Sequence, residues 1–417
     1  MQRHVIGISC KPLRRSYASI SRPAFTSFFF HNGQWKSQPR LKATASSTRE
    51  IAYPAAQISA GSQPVFKEVD SLTPARLLKV YSQLAKSRLT VLVVLTAMSG
   101  VALSPIPTTL PVLLSTALGT TLCSASANAL NQIQEVPFDA QMARTRTRPL
   151  VRRAITPVHA VGFAIATGVA GPALMWTMVN PTTACLGLAN IVLYAGVYTW
   201  MKRKSIANTW VGSVVGAIPP LMGWTACGGH LLPSSSDIQL FLPPFLLDAN
   251  LPPLDLSLID NPLSPFALFM LLFSWQFPHF NSLSYLVRDS YAQAGYQMLS
   301  VLSPAKNALV SFRHSALLLP VCTILFPLSG LTTWVFALTG LIPNLILTRA
   351  AWRFWRTGGE KEARVLWHQC LWYLPAILGL MMFHKQGMEW LEWWGFSNKE
   401  KHQTSVTAIN SEKKYVL

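Results

Sequence analysis

Nine apolar runs, each close to the length that crosses a bilayer, decide what this chain can fold into. They cover residues 89–105, 110–135, 157–179, 184–201, 210–232, 265–286, 308–328, 331–350 and 365–382. A helix needs about 20 apolar residues to traverse the hydrocarbon, and in lipid each segment must satisfy its own backbone hydrogen bonds. Helices do this within one segment, so the predicted fold class is all-α. It is a polytopic bundle of about nine transmembrane helices in a lipid bilayer. Only 12% of the 417 residues are charged, against about 25% in soluble domains.

The charge that exists is unevenly placed. Nine Lys and Arg residues, from Arg3 to Arg49, precede the first acid, Glu50. An Arg- and Ser-rich segment without acids predicts a mitochondrial transit peptide over residues 1–50. Residues 51–88 read as a linker leading into an amphipathic helix at the membrane surface, residues 89–385 as the membrane domain and 386–417 as a polar tail. The net charge of +19 carries no expectation of a nucleic-acid partner.

The connections between runs alternate in charge. One set carries Arg144, Arg146, Arg148, Arg152, Arg153, Lys202, Arg203, Lys204, Arg288, Lys306, Arg353, Arg356, Lys361 and Arg364. The other set has no Lys or Arg, and its longest member holds Asp237, Asp248, Asp255 and Asp260. This bias predicts that the basic set faces the inside, which for a mitochondrial inner-membrane protein is the matrix. The six cysteines have no paired spacing, which argues against a disulfide framework or a zinc site.

One stretch departs from its surroundings: NALNQIQEVPFDAQMARTRTRPL, residues 128–150. Asn128, Asn131 and Glu135 are spaced by three and four residues and share a helix face. Pro137 predicts a kink or end near Val136, with Asp139 just beyond the break. Ionisable groups at membrane depth are costly and mark function more often than packing. Carboxylates beside amide oxygens suit a hard cation such as Mg2+, which commonly also binds substrate phosphates. Arg144, Arg146 and Arg148 add bidentate donors for phosphate oxygens, and Lys202, Arg203 and Lys204 converge on the same membrane face. Metal, arginine and an apolar bundle together predict an anionic headgroup on a lipid tail. A second polar helix end, WQFPHFNSLSYLVRDSYAQAGY at residues 275–296, holds His279, Arg288 and Asp289. Asp289 is a candidate third carboxylate.

Residues 128–150, the segment with Tyr198, Lys202, Arg203 and Asn208, and residues 275–295 resemble the UbiA superfamily of intramembrane prenyltransferases. Within it they are most similar to the branch that farnesylates haem. The resemblance spans roughly residues 81–382. It implies a catalytic and Mg2+-binding set of Asn131, Glu135, Asp139 and Asp289. It implies diphosphate contacts from Arg144, Arg148, Lys202, Arg203 and Arg288. His279 stands where quinone-precursor enzymes carry the leading Asp of their second motif, which makes it the haem-side candidate, with helix capping as the plainer reading. His368 is a second haem-side candidate. The implied substrates are farnesyl diphosphate and haem B, and the implied partners are a downstream haem A synthase or a second copy of the chain. A prenyltransferase acting on a quinone precursor and a non-enzymatic anion carrier are the alternatives.

Overall fold

The structure is a computed structural model and describes residues 73–232, 238, 240–243, 246 and 260–387. The predicted transit peptide, most of the linker, three acids of the long loop (Asp237, Asp248 and Asp255) and the tail beyond residue 387 lie outside the described residues. The described chain is helical: α1 (Pro74–Leu84), α2 (Ser87–Leu103), α3 (Leu110–Asp139), α4 (Pro157–Met178), α5 (Pro181–Met201), α6 (Asn208–Ala226) and α7 (Leu263–Leu286). Two short helices, α8 (Arg288–Gln293) and α9 (Leu299–Leu302), lead to α10 (Pro304–Leu328), α11 (Val335–Thr357) and α12 (Gly359–Phe383).

Helix starts follow local chemistry. Thr73, Thr156 and Asn180 each precede a proline, and each side chain accepts the backbone N–H three residues on, at 3.4, 3.3 and 2.8 Å. The side chain caps an orphan donor, while proline at the first helical position needs none.

All nine apolar runs are helical. Among the described residues, however, six helices are long and apolar enough to cross a membrane, and seven if α1 and α2, bent by 56°, count as one span. The expected count of nine is therefore not reached by length and composition. The two runs outside this set are α6 and α7. Both bury polar side chains inside the bundle: Asn208, Thr209, Ser213 and Thr225 on α6, and Ser264, Ser274, Asn281, Ser282 and Ser284 on α7. A helix lined by protein rather than lipid does not need an apolar surface all round.

Small residues bring the helices close, as expected where lipid removes the hydrophobic drive to associate. A Cβ on Gly223 would lie 1.9 Å from the Ala97 carbonyl oxygen, and one on Gly100 would lie 2.1 Å from that of Pro220. These two glycines let α2 and α6 touch backbone to backbone. Lys385, just past α12, donates from Nζ to the carbonyls of Ala102 and Ser104, each at 2.8 Å. It thereby satisfies carbonyls left unpaired at the end of α2 and ties the last helix to the first long one.

Pro137 does not break α3. The helix continues to Asp139 because proline near a C-terminus forfeits a single backbone bond. Ala140 N–H still reaches Val136 O at 3.1 Å, and Gln141 Nε2 donates to Pro137 O at 2.9 Å. Asp139 therefore continues the row of Asn131 and Glu135 on one face.

The alternation of basic and uncharged connections is expected to reflect sidedness. Protease sites inserted after Arg146 and after Leu232 should be cleaved from opposite faces of sealed vesicles. Cleavage of both from the same face would overturn this arrangement.

Candidate active site

The site begins at the break between α1 and α2. Three side chains take up the carbonyls freed at the end of α1: Gln132 Nε2 donates to Leu84 O at 2.8 Å, while Asn128 Nδ2 and Thr90 Oγ1 donate to Ala85 O at 3.1 and 2.8 Å. Asn128 of the polar row on α3, and Gln132 beside that row, are thus structural. They hold a turn in which Lys86 has φ 49° and ψ 55°, a left-handed backbone conformation that a non-glycine residue seldom adopts. That turn aims the ammonium of Lys86 at Asn131 Oδ1, 2.8 Å away, and at the Tyr194 hydroxyl, 3.4 Å away. The residues alone did not mark Lys86 as a site residue. Its one signal is a basic residue placed where an amphipathic surface helix gives way to an apolar run.

The acidic row faces cations from two further segments. Lys202, one residue past α5, donates to Glu135 Oε1 at 2.8 Å. Arg148, in the connection after α3, lies 3.7 Å from Glu135 Oε2 and makes a short ion pair with Asp139 Oδ2. Glu135 and Asp139 are 5% and 2% exposed, so both charges are balanced within the protein rather than by water. Burial pulls the Lys202 ammonium down, but the Glu135 carboxylate outweighs it and leaves Lys202 above its ordinary lysine value. Thr145 Oγ1 donates to Asp139 O at 3.0 Å and anchors the arginine-bearing turn.

Aromatic rings complete the wall. α5 widens into a π-helical stretch at Val192–Tyr198, a distortion frequent at functional sites. It stacks Tyr194 on Tyr198 at 5.4 Å and sets Lys202 over the Tyr198 ring at 4.6 Å. Arg203 lies over Phe138 at 5.0 Å, and Phe138 meets Tyr296 at 5.5 Å. Burial, with Glu135 and Asp139 nearby, pushes the Tyr296 phenol above its usual value and keeps it protonated.

Asn131, Glu135, Asp139, Arg148 and Lys202 therefore converge as expected. Arg203 flanks them, and Arg144 is exposed on the adjoining turn. Asp289 and Arg288 do not join them. Asp289 opens the short helix α8 with its side chain 86% exposed, and Arg288 reaches Asp289 at 3.8 Å and Glu360 at 3.6 Å. Among the described residues no three His, Cys, Asp or Glu side chains gather around one point, so the expected fourth oxygen ligand is not assembled. Asn281 of the second polar motif and Asn307 exchange side-chain-to-backbone bonds at 3.3 and 3.0 Å, joining α7 to α10. His279 stacks on Trp275 at 4.8 Å, and its buried Nδ1 has no hydrogen-bond partner. It caps no helix. His368 is exposed, and its Nδ1 donates to Arg364 O at 2.7 Å.

Below the charged cluster an apolar cavity runs between α2, α3, α5 and α6. Asn128 and Tyr194 lie at its charged end, and Val93, Val215, Pro219 and Met222 are among its apolar lining. Charge at one end of an apolar slot suits an amphiphile with an anionic head.

The fold and the sequence each place this arrangement. A solved structure of digeranylgeranylglyceryl phosphate synthase shares the fold, with a TM-score of 0.58 and 12% identity over 74% of this chain and 98% of that one. This helix bundle thus shares the fold of that membrane enzyme. Residues 92–374 match the UbiA prenyltransferase family, and the chain belongs to that family. Mitochondrial protoheme IX farnesyltransferase of Gibberella zeae is 43% identical over 332 residues, 76% of this chain and 62% of that protein. The human protein of the same name is 43% identical over 307 residues, 74% of this chain and 62% of that protein. The chain spans just under two thirds of the length of these relatives.

Breaking the Lys202–Glu135 pair leaves a buried charge short of its partner. Lys202→Met is expected to destabilise the detergent-solubilised protein by about 3–5 kcal/mol. Adding Glu135→Gln should restore much of that loss, read as thermal unfolding of the two variants. Equal stability of Lys202→Met and the wild type would overturn the pairing.

Proposed function

We propose that the protein transfers a farnesyl group from farnesyl diphosphate to a vinyl group of haem B, giving haem O, in the mitochondrial inner membrane. The observation that carries prenyl transfer is the buried cluster of Lys86, Arg148, Lys202, Glu135 and Asp139 at the mouth of an apolar cavity. Haem B as acceptor and the mitochondrial setting are supported by the relatives named above. Nine basic residues ahead of Glu50 support a transit peptide, and the charge bias of the connections supports a site open to the matrix.

The chain's own residues account for most of the chemistry. Arg148, Lys202 and Lys86 are the donors for the diphosphate oxygens, with Arg144 and Arg203 at the rim. When the allylic C1–O bond breaks, the electron pair leaves with the diphosphate, and these cations stabilise the charge that accumulates there. The Tyr194 and Tyr198 rings present π faces to the allylic cation. The vinyl π electrons then form the new bond to C1. Water adds to the resulting cation on the haem side and loses a proton, leaving a hydroxyethylfarnesyl group.

Glu135, Asp139 and the Asn131 amide oxygen offer hard oxygen donors on one helix face, so the donor set fits Mg2+. These are the residues that would hold it. Bound there, Mg2+ would neutralise phosphate charge and polarise the scissile C–O bond. His279, with its unpartnered Nδ1, is the residue we place toward the haem.

Purified protein supplied with haem B, farnesyl diphosphate and Mg2+ should yield haem O by mass spectrometry. Asp139→Asn should lower turnover at least about 100-fold while the protein still folds, and chelation of divalent metal should stop the wild type. Wild-type turnover in the variant, or indifference to chelation, would remove the metal site from the mechanism.

His279→Ala should weaken haem retention, followed by its absorption spectrum, with farnesyl diphosphate retention unchanged. Unchanged haem binding with lost diphosphate binding would move His279 to the metal side.

A further inference from the structure

The apolar cavity ends on a small group of sulfur side chains. Asn128 and Tyr194 stand at its mouth, Thr120, Cys123 and Met222 at its deep end. Asn128 to Thr120 is eight residues of one helix, about 12 Å at 1.5 Å per residue. α6 passes in the opposite direction, from Val215 near the mouth to Met222.

Met222 is 1% exposed and packs with Cys123 and Met175. Glycines make the room for this packing. A Cβ on Gly187 would lie 2.5 Å from Met175 Cε, 3.1 Å from Cys123 Sγ and 3.4 Å from Met222 Cε. A Cβ on Gly119 would lie 2.4 Å from Met175 Cγ. About one turn beyond Met222 the bundle is closed by polar contacts. The hydroxyls of Thr183 and Thr225 meet at 2.8 Å, and Asn180 Nδ2 donates to Thr225 O at 2.6 Å. Met222 is thus the cavity-lining side chain nearest this hydrogen-bonded seal.

We propose that Met222 is the floor that sets isoprenoid length, a specificity-determining residue that acts by limiting how deep the tail can run. The inference rests on the reading of the cavity as the prenyl site. Truncating Met222 lengthens the slot toward Met175 and Ala184, whereas a bulkier rigid ring shortens it. Methionine suits the position because its unbranched chain fills an irregular gap.

The test is a competition among geranyl, farnesyl and geranylgeranyl diphosphates with haem B as acceptor, products separated by mass spectrometry. The wild type should favour farnesyl. Met222→Ala should raise the ratio of geranylgeranyl to farnesyl product at least about tenfold, the effect of adding or removing small apolar groups in a specificity pocket. Met222→Phe should shift the ratio toward geranyl by a similar factor, and it decides the matter if Met222→Ala fails to fold. Prenyl transfer with an unchanged length preference in the folded variants overturns the floor and leaves the parent reading standing. A wild type that transfers and retains none of the three diphosphates overturns both.

Discussion

Two buried carboxylates persist here because cations from two separate segments pair with them and a third is held beside them. Glu135 and Asp139 are nearly inaccessible to water, and an unpaired charge in such a place costs several kcal/mol. Lys202 arrives from the end of α5, Arg148 from the turn after α3, and Lys86 from the break before α2, where it binds Asn131 in the same row. Each cation depends on a different piece of backbone being in place. The geometry of the first half of the bundle, including the bend between α1 and α2, follows from that requirement.

On the proposed reading, the same cluster would receive an anionic headgroup. Charges already held in place reorganise little when a ligand binds, which is the advantage of a preorganised electrostatic site. The left-handed Lys86 and the π-helical turn at Tyr194 and Tyr198 are two places where regular helix is sacrificed. Both border the join between charged mouth and apolar cavity. On the proposed reading the headgroup and the tail of one substrate would meet there, and a regular helix would point neither Lys86 nor the tyrosines into it.

The second half of the bundle solves a different problem. Polar groups there bind one another: Tyr373 donates to Asn344 Oδ1 at 2.8 Å, and Asn281 and Asn307 form a reciprocal pair. These contacts act as glue between helices that share apolar surroundings. His279 is stacked on Trp275 with Nδ1 left without a partner, and His314 Nδ1 in the same half is likewise unpartnered.

The sequence by itself determined the helical class and the location of every apolar segment, because bilayer length and internal backbone hydrogen bonding leave no other solution. It also determined the row Asn131, Glu135 and Asp139, since a spacing of four residues on an apolar helix has one geometric meaning. Tertiary structure decided which neighbours complete that row. Arg148 and Lys202 could be named from charge alone, but Lys86 could not, because its role depends on a bend that Asn128, Gln132 and Thr90 hold from other helices. Asp289 looked equivalent to the first carboxylates in sequence, yet its short helix turns it to solvent. The depth of the cavity was equally hidden. It depends on Met222, Cys123 and Met175 meeting over Gly119 and Gly187, and residues far apart in sequence come together there only through packing.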